Sequence, residues 1–330
     1  MDLLRLTKNG IYCPAGDFYI DATGKVDRNI ITHAHSDHAR PGHKSYLAHK
    51  SSAPLLKARL GKKVNVQSLE YKDEISMSGV KVSLFPSGHI YGAAQVRISK
   101  NGESWVVSGD YKLDDDRLST PFEPVKCNVF ITECTFGLPV YDWPDQHVVY
   151  EQINQWWKQN KSTGITSLLF GYSLGKSQRI IKNINHEIGP VFVHKTVDTM
   201  NNAIKNDGGM LPGTILIDES TIKEEIRGNL IIAPPSVTTG RLLQNLGHIS
   251  TATASGWALS GRNFRRSSID KGFVLSDHAD WDGLLMAIKE TGAEKVITMH
   301  GYTQELTQWL NETGINSIEI DDLKHQPFKL

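Results

Sequence analysis

The sequence predicts an α/β protein in which one α/β domain is interrupted by another, and three observations carry that expectation. Short runs rich in Val, Ile and Phe recur along the chain, each of strand length. Before residue 135 they follow one another with turn signals and little helical pattern. After about residue 145, helical patterns alternate with strands at βαβ spacing. Beyond Thr251 a pattern of strand, polar residue and helix resumes. The ends, 1–135 and 251–330, are therefore expected to form one discontinuous domain, with 136–250 inserted into it.

Each element has a local reason. Ile30-Ile31, Val80 to Phe85, Trp105-Val106-Val107 and Val129-Phe130-Ile131 are apolar, partly β-branched runs that read as buried strands. Gln146 to Gln159 carries helical spacing through Val149, Ile153 and Trp156-Trp157. It is followed by a strand at Ser167 to Phe170 and a helix from Lys176 to Asn185. Near the end, Phe273-Val274-Leu275 precedes His278, and Val296-Ile297-Thr298 precedes His300. No internal repeat or low-complexity tract interrupts the pattern.

Composition narrows the class. A chain of 330 residues with 39% hydrophobic residues can bury a sizeable core. Its start, MDLLRLTKNG, lacks the order of a secretory signal, and no apolar run approaches the roughly 20 residues that span a bilayer. A cytoplasmic location without a membrane partner is the expectation. Cys13, Cys127 and Cys134 are too few for a disulfide framework and form no CxxC pair, so they are expected to be reduced core thiols.

Lys plus Arg and Asp plus Glu both number 36, which argues against a surface that grips nucleic acid everywhere. The balance hides local asymmetry. Arg40, Lys44, Lys50, Lys57, Arg59, Lys62 and Lys63 occupy a stretch with no Asp or Glu, and Arg262, Arg265, Arg266 and Lys271 form a second cluster. Both suit a polyanion track, and both equally suit a solvated basic face.

The chemistry is concentrated in His33-Ala34-His35-Ser36-Asp37-His38, which packs four metal-ligand side chains into six residues directly after an apolar run. His33 and His35 alternate by two and so point the same way at a strand end, while Asp37 and His38 reach a second position. His89 follows a strand through Phe85-Pro86-Ser87-Gly88, and Asp110 follows another through Ser108-Gly109. Two adjacent divalent ions are thereby suggested. Imidazole and carboxylate without thiolate favour zinc, with manganese as the substitute. His43, His49, His147, His186, His194, His248 and His325 lack such a context and are expected to be surface or core histidines.

These residues resemble the metallo-β-lactamase fold hydrolases, and specifically their β-CASP branch of nucleic-acid nucleases, over most of the chain. HAHSDH matches the HxHxDH motif, Ile20-Asp21 the early acidic motif, His89 the third and Asp110 the fourth. Thr132-Glu133-Cys134-Thr135-Phe136-Gly137 looks like motif A of the branch, Ser276-Asp277-His278-Ala279-Asp280 like motif B, and His300 like motif C. The resemblance implies an αββα sandwich with a β-CASP-like domain between motifs A and B. Gly175-Lys176-Ser177-Gln178-Arg179 and Ser255-Gly256-Trp257-Ala258-Leu259 are similar to the bacterial ligase-associated DNA exonucleases. A histidine at motif C is typical of RNA-processing relatives, whereas DNA crosslink-repair relatives carry valine, so His300 leaves the nucleic acid open.

By this resemblance His33, His35 and His89 would hold one metal, Asp37, His38 and His300 the other, and Asp110 would bridge them. Asp21 would orient a ligand histidine. Two divalent ions would supply a nucleophile at neutral pH and relieve charge on the phosphoryl oxygens. His278, held by Glu133, would be the general acid for the departing sugar oxygen. Ser255 and Gly256, followed by Arg262, are expected to cradle a neighbouring phosphate, with turn chemistry as the other reading. Lys176 and Arg179 would face the substrate cleft or cap the insert's surface. Trp257, Phe264 and Trp281 would stack bases or lie in the core. The loop Gly171 to Ser177 imitates a Walker loop but is one residue short, which argues against an ATPase.

The expected function is thus a metal-dependent DNA exonuclease acting in repair, beside a DNA ligase and a helicase. An RNA-processing nuclease and a small-molecule hydrolase of the same fold are the alternatives. The insert and motifs A and B oppose the last.

Overall fold

A computed structural model describes residues 2–218, 221, 223–239, 246–260 and 269–324. The chain divides into two units. The first comprises Met1–Asp115, Ser119–Asp142 and His278–Leu330, and the second Asp116–Leu118 and Trp143–Asp277.

Two sheets build the first unit. One holds, in spatial order, β1 (Arg5–Thr7), β2 (Gly10–Cys13), β3 (Phe18–Ile20), β4 (Arg28–Ile30), β5 (Ser45–His49) and β6 (Val66–Leu69). Its first three strands run antiparallel, and β3 to β6 are mutually parallel. The other sheet contains β7 (Glu74–Met77), β8 (Val80–Pro86), β9 (Ala94–Lys100), β10 (Glu103–Val107), β11 (Val129–Cys134), β18 (Lys295–Gly301) and β19 (Ser317–Glu319). Antiparallel pairing joins β7 through β10, and β10, β11, β18 and β19 are parallel. Because β9 runs against both neighbours, β8 and β10 point the same way. The ends of β8, β10, β11 and β18 therefore open on one edge of the sheet.

Strand alternation sorts the side chains. Phe18, Ile20 and Ile30 from the first sheet share a core with Val82, Leu84, Val96, Ile98 and Trp105 from the second. On the second sheet's opposite face, Val106, Phe130 and Val296 pack with Leu284, Ala287 and Ile288 of α6 (Trp281–Thr291) and with Leu306 and Leu310 of α7 (Thr303–Glu312). A helix the sequence did not announce, α1 (Ser52–Leu60), lies against β5 and β6. Its Pro54 falls in the first turn, where a missing N–H costs little.

The second unit is a wholly parallel sheet in the order β14 (Ile215–Leu216), β13 (Val191–Val193), β15 (Leu230–Ala233), β12 (Thr166–Phe170), β16 (Ile249–Ala254) and β17 (Lys271–Phe273). Its helices are α2 (Gln146–Ser162), α3 (Lys176–Asn183), α4 (Lys195–Asn206) and α5 (Lys223–Ile226). One face of the sheet packs Leu169, Val193, Ile232 and Ala252 with Ile153 and Trp157 of α2. The other buries Leu168, Phe170, Phe192 and Ile231. Burial on both faces explains why β13 and β15 are unbroken apolar runs.

The expected boundary at residue 250 moves. β16 pairs with β12, and β17 with β16, so both complete the second unit's sheet, and that unit extends to Asp277. At the other end, 136–142 belongs to the first unit. No described helix is long and apolar enough to cross a membrane.

Candidate metal centre

The site is assembled from strand ends. HAHSDH leaves the end of β4, His89 follows β8 and Asp110 follows β10. Glu133 lies near the end of β11 and His300 near that of β18. Glycines make the approach possible. Gly109 has φ +57°, and a Cβ there would stand 2.6 Å from Cβ of Thr32. Gly88 has φ +72°, and its Cβ would meet the carbonyl oxygen of Lys112 at 2.1 Å.

Three imidazole nitrogens face one another. Nε2 of His33 and Nε2 of His89 each lie 3.1 Å from Nδ1 of His35. The carboxylate of Asp110 is 3.5 Å from Nε2 of His33 and 3.7 Å from Nε2 of His89. Ligand atoms of all four residues fall within 4.8 Å of one another. A tetrahedral ion with metal–nitrogen distances near 2.0–2.1 Å separates its ligand nitrogens by about 3.3 Å, so this donor set fits such an ion. Burial, and then the neighbouring His38, push His33 well below the usual imidazole range, which leaves its ring neutral with a lone pair to give.

A second set adjoins the first. Nε2 of His38 is 3.5 Å from Asp110 and 3.7 Å from Asp37, and the ring centroid of His300 is 5.6 Å from that of His38. Asp110 thus stands between the two groups. Burial works against charge on both His38 and Asp110, but their mutual attraction outweighs it. His38, helped also by Asp21, is held well above its ordinary pKa, and Asp110 well below its own. A bound cation would take the place of the imidazolium proton.

Supporting groups fix the ligands. Asp21, at φ +46°, accepts from the backbone N–H of Thr32 at 2.8 Å, from the Thr32 hydroxyl at 2.5 Å and from Nδ1 of His38 at 2.7 Å. A carboxylate only accepts, so the proton is on Nδ1 and Nε2 of His38 is turned toward Asp110. His300 also holds a left-handed φ of +57°, a conformation that few non-glycine residues adopt. Arg59 of α1 reaches back to donate to the carbonyl of Ala34 at 2.5 Å, pinning the HAHSDH loop.

His278 and Glu133 form an adjoining pair. Nδ1 of His278 donates to the Glu133 carboxylate at 2.9 Å, which aims Nε2 toward Asp110 at 3.9 Å. Glu133, itself buried, also accepts from the backbone N–H of Tyr111 and from the hydroxyl of Thr135. The ring is therefore oriented through Nδ1 and presents Nε2 to the centre.

Other expectations fare differently. Lys176 and Arg179 are interior residues of the second unit, 2% and 1% exposed. Nζ of Lys176 donates to Asp277 at 2.5 Å and to the carbonyl of Leu275, while Arg179 pairs with Asp116 at 3.4 Å and donates to Gln146. Their charges are committed inside the unit, which corrects the expectation that they face substrate or cap its surface. Ser255 and Gly256 sit where β16 gives way to a short 3-10 turn, Gly256–Ser260. Trp281 stacks edge-on with Trp309 beside the α6 and α7 core, and Trp257 is 36% exposed. Arg262, Phe264, Arg265, Arg266 and His325 lie outside the described residues. Lys50 is opposed after all, by Glu70 at 2.7 Å. The cysteine thiols are free and burial raises all three, that of Cys127 to about 12, and none of them belongs to the donor set described.

The sequence reading missed Thr32, Thr135 and Arg59. Thr32 abuts His33 and its hydroxyl reaches Asp21, while Thr135, inside the motif A segment, reaches Glu133 two residues back. Nothing local marks Arg59.

No family model matches the chain. A probable DNA ligase of Opitutus terrae is 31% identical over 317 residues, covering 95% of this chain and 31% of that protein. Cleavage and polyadenylation specificity factor subunit 3 of Dictyostelium discoideum is 32% identical over 23% of this chain and 10% of its own length. RNase aCSPSF2 of Saccharolobus solfataricus is 27% identical over 36% of this chain and 24% of its own. The chain spans less than a third of the length of these relatives. A protein of unknown function from Enterococcus faecalis V583, 13% identical, superposes with a TM-score of 0.59 over 88% of this chain and 78% of that one, which shows a shared fold. With near-complete coverage by one relative and partial matches to the other two, the chain belongs to the metallo-β-lactamase fold, in its β-CASP branch.

Proposed function

We propose that this protein is a metal-dependent nuclease, and that it acts as a DNA exonuclease in repair beside a DNA ligase. The observation that carries the reading is the juxtaposition, in one largely buried cluster, of a histidine-aspartate donor set with the His278–Glu133 pair. His33, His35 and His89 are assigned to one divalent ion and Asp37, His38 and His300 to a second, with Asp110 between them. Zinc suits an imidazole-rich set, and manganese is the substitute. When bound, the ions supply Lewis acidity toward the phosphoryl oxygens and the attacking water.

The protein's own groups do the rest. Asp21 holds the tautomer and plane of His38. Glu133 fixes His278 through Nδ1, so that Nε2 delivers a proton to the departing sugar oxygen. In this reading the second unit is the inserted β-CASP domain, and its Ser255 and Gly256 contact a flanking phosphate.

Coverage supports DNA over RNA. The relative named as a probable DNA ligase matches across 95% of the chain, whereas the relative named as an RNase matches over 36%. The test is to offer end-labelled DNA and RNA, single- and double-stranded, with zinc or manganese, and to follow product size with time. Stepwise shortening of DNA is expected. Preferential internal cutting of RNA would establish the RNA-processing reading instead.

A further inference from the structure

An open recess of about 580 Å³ is walled by the chain that leaves HAHSDH and by the end of α1. Lys44, Lys62 and Lys63 line it and are exposed. The stem of Lys25 lies against Gly42 on its wall, since a Cβ on that glycine would meet Cε of Lys25 at 3.0 Å. Arg40 is exposed one residue before the wall begins at Pro41. Among the described residues, none of these five cations has an ion-pair partner within 4 Å, in contrast to Lys50, Lys72 and Lys81. Donors are in surplus too. His43 in the wall accepts the backbone N–H of Val26 at Nδ1, which leaves the proton on a buried Nε2 that has no acceptor.

We propose that this recess holds the sugar-phosphate backbone of a nucleic-acid strand whose other part occupies the metal centre. The inference rests on the nuclease reading and extends it to a second binding region on the first unit. Two residues, Ala39 and Arg40, separate His38 from Pro41, so the wall begins within about 11 Å of the Cα of His38. The lining favours backbone over bases. It offers point charges and no exposed aromatic ring, Tyr46 being buried, so it contributes affinity that is salt-sensitive and indifferent to sequence. A competing role for Lys62 and Lys63 is to offset the dipole at the carboxyl end of α1.

The test compares the wild-type chain with Lys62→Gln/Lys63→Gln and with the charge-preserving Lys62→Arg/Lys63→Arg. Binding of phosphorothioate single strands of about 4 and about 16 nucleotides, a span typical of one binding domain, is measured from 50 to 200 mM salt. For the long strand, the glutamine variant should lower the slope of log Kd against log salt by about 1.4, roughly 0.7 for each phosphate that is no longer neutralised. The arginine variant should keep the wild-type slope, and the short strand should bind all three proteins alike. An unchanged slope for the long strand overturns the proposal, and if the melting temperature falls as well, the lysines serve α1 instead. Equal weakening of both strand lengths also overturns it. Wild-type protein that bound neither strand and left unmodified DNA and RNA of the same lengths uncut would remove the nuclease reading together with this inference, whereas cleavage of the unmodified strands with an unchanged slope removes this inference alone.

Discussion

Nδ1 of His278 stands 2.9 Å from both carboxylate oxygens of Glu133, a residue 145 positions earlier in the chain. That pairing directs the other ring nitrogen at the metal centre, and it separates orientation from coordination. His278→Ala should therefore retain the metal while slowing cleavage by roughly 10²–10⁴. Metal content by mass spectrometry and single-turnover rates check this. Full activity sinks the acid assignment, and loss of metal makes His278 a ligand.

Asp21 acts through His38. Asp21→Asn keeps the size of the side chain but lets it donate, which breaks the match with Nδ1–H at 2.7 Å. Metal affinity should fall about 10–100-fold, as for other groups that orient ligand histidines. Competition with a chromophoric chelator measures it, and wild-type affinity would disprove the orienting role.

Gly109→Ala is expected to cost about 1–3 kcal/mol. The new methyl would press on Thr32 from a left-handed backbone, and Thr32 carries two of the hydrogen bonds to Asp21. Urea unfolding reads the loss, and a variant as stable as wild type would show that the strand ends adjust freely.

In the second unit, Lys176→Met removes the cation from a buried pair and should destabilise by about 3–5 kcal/mol, whereas Lys176→Met/Asp277→Leu should recover most of that. Urea unfolding of both variants decides. A single variant within about 0.5 kcal/mol of wild type would mean that the charge reaches solvent.

Much of the centre was legible because the signal is local. HAHSDH holds four ligand side chains in six residues, and His89 and Asp110 each follow a glycine after an apolar run. What could not be read depends on packing between distant segments. Lys176 and Arg179 look like surface charges until Asp277 and Asp116 are seen beside them. The boundary near 250 was misplaced because nothing in ISTATA or KGF, the sequences of β16 and β17, says which sheet they join, and only the pairing of β16 with β12 and of β17 with β16 decides it. α1 escaped notice because SAPLLKARL has no clean apolar stripe and buries only Ser52, Leu55 and Leu56. Its Arg59, which braces the ligand loop, was read as one more cation in a basic run.

The most direct test of the central claim is cleavage of end-labelled single-stranded DNA by protein stripped with a chelator and then resupplied with zinc or manganese. Cleavage should vanish on stripping, return with the ion, and fail to return in Asp110→Asn. Hydrolysis that persists without metal, or that Asp110→Asn performs at the wild-type rate, would contradict the account.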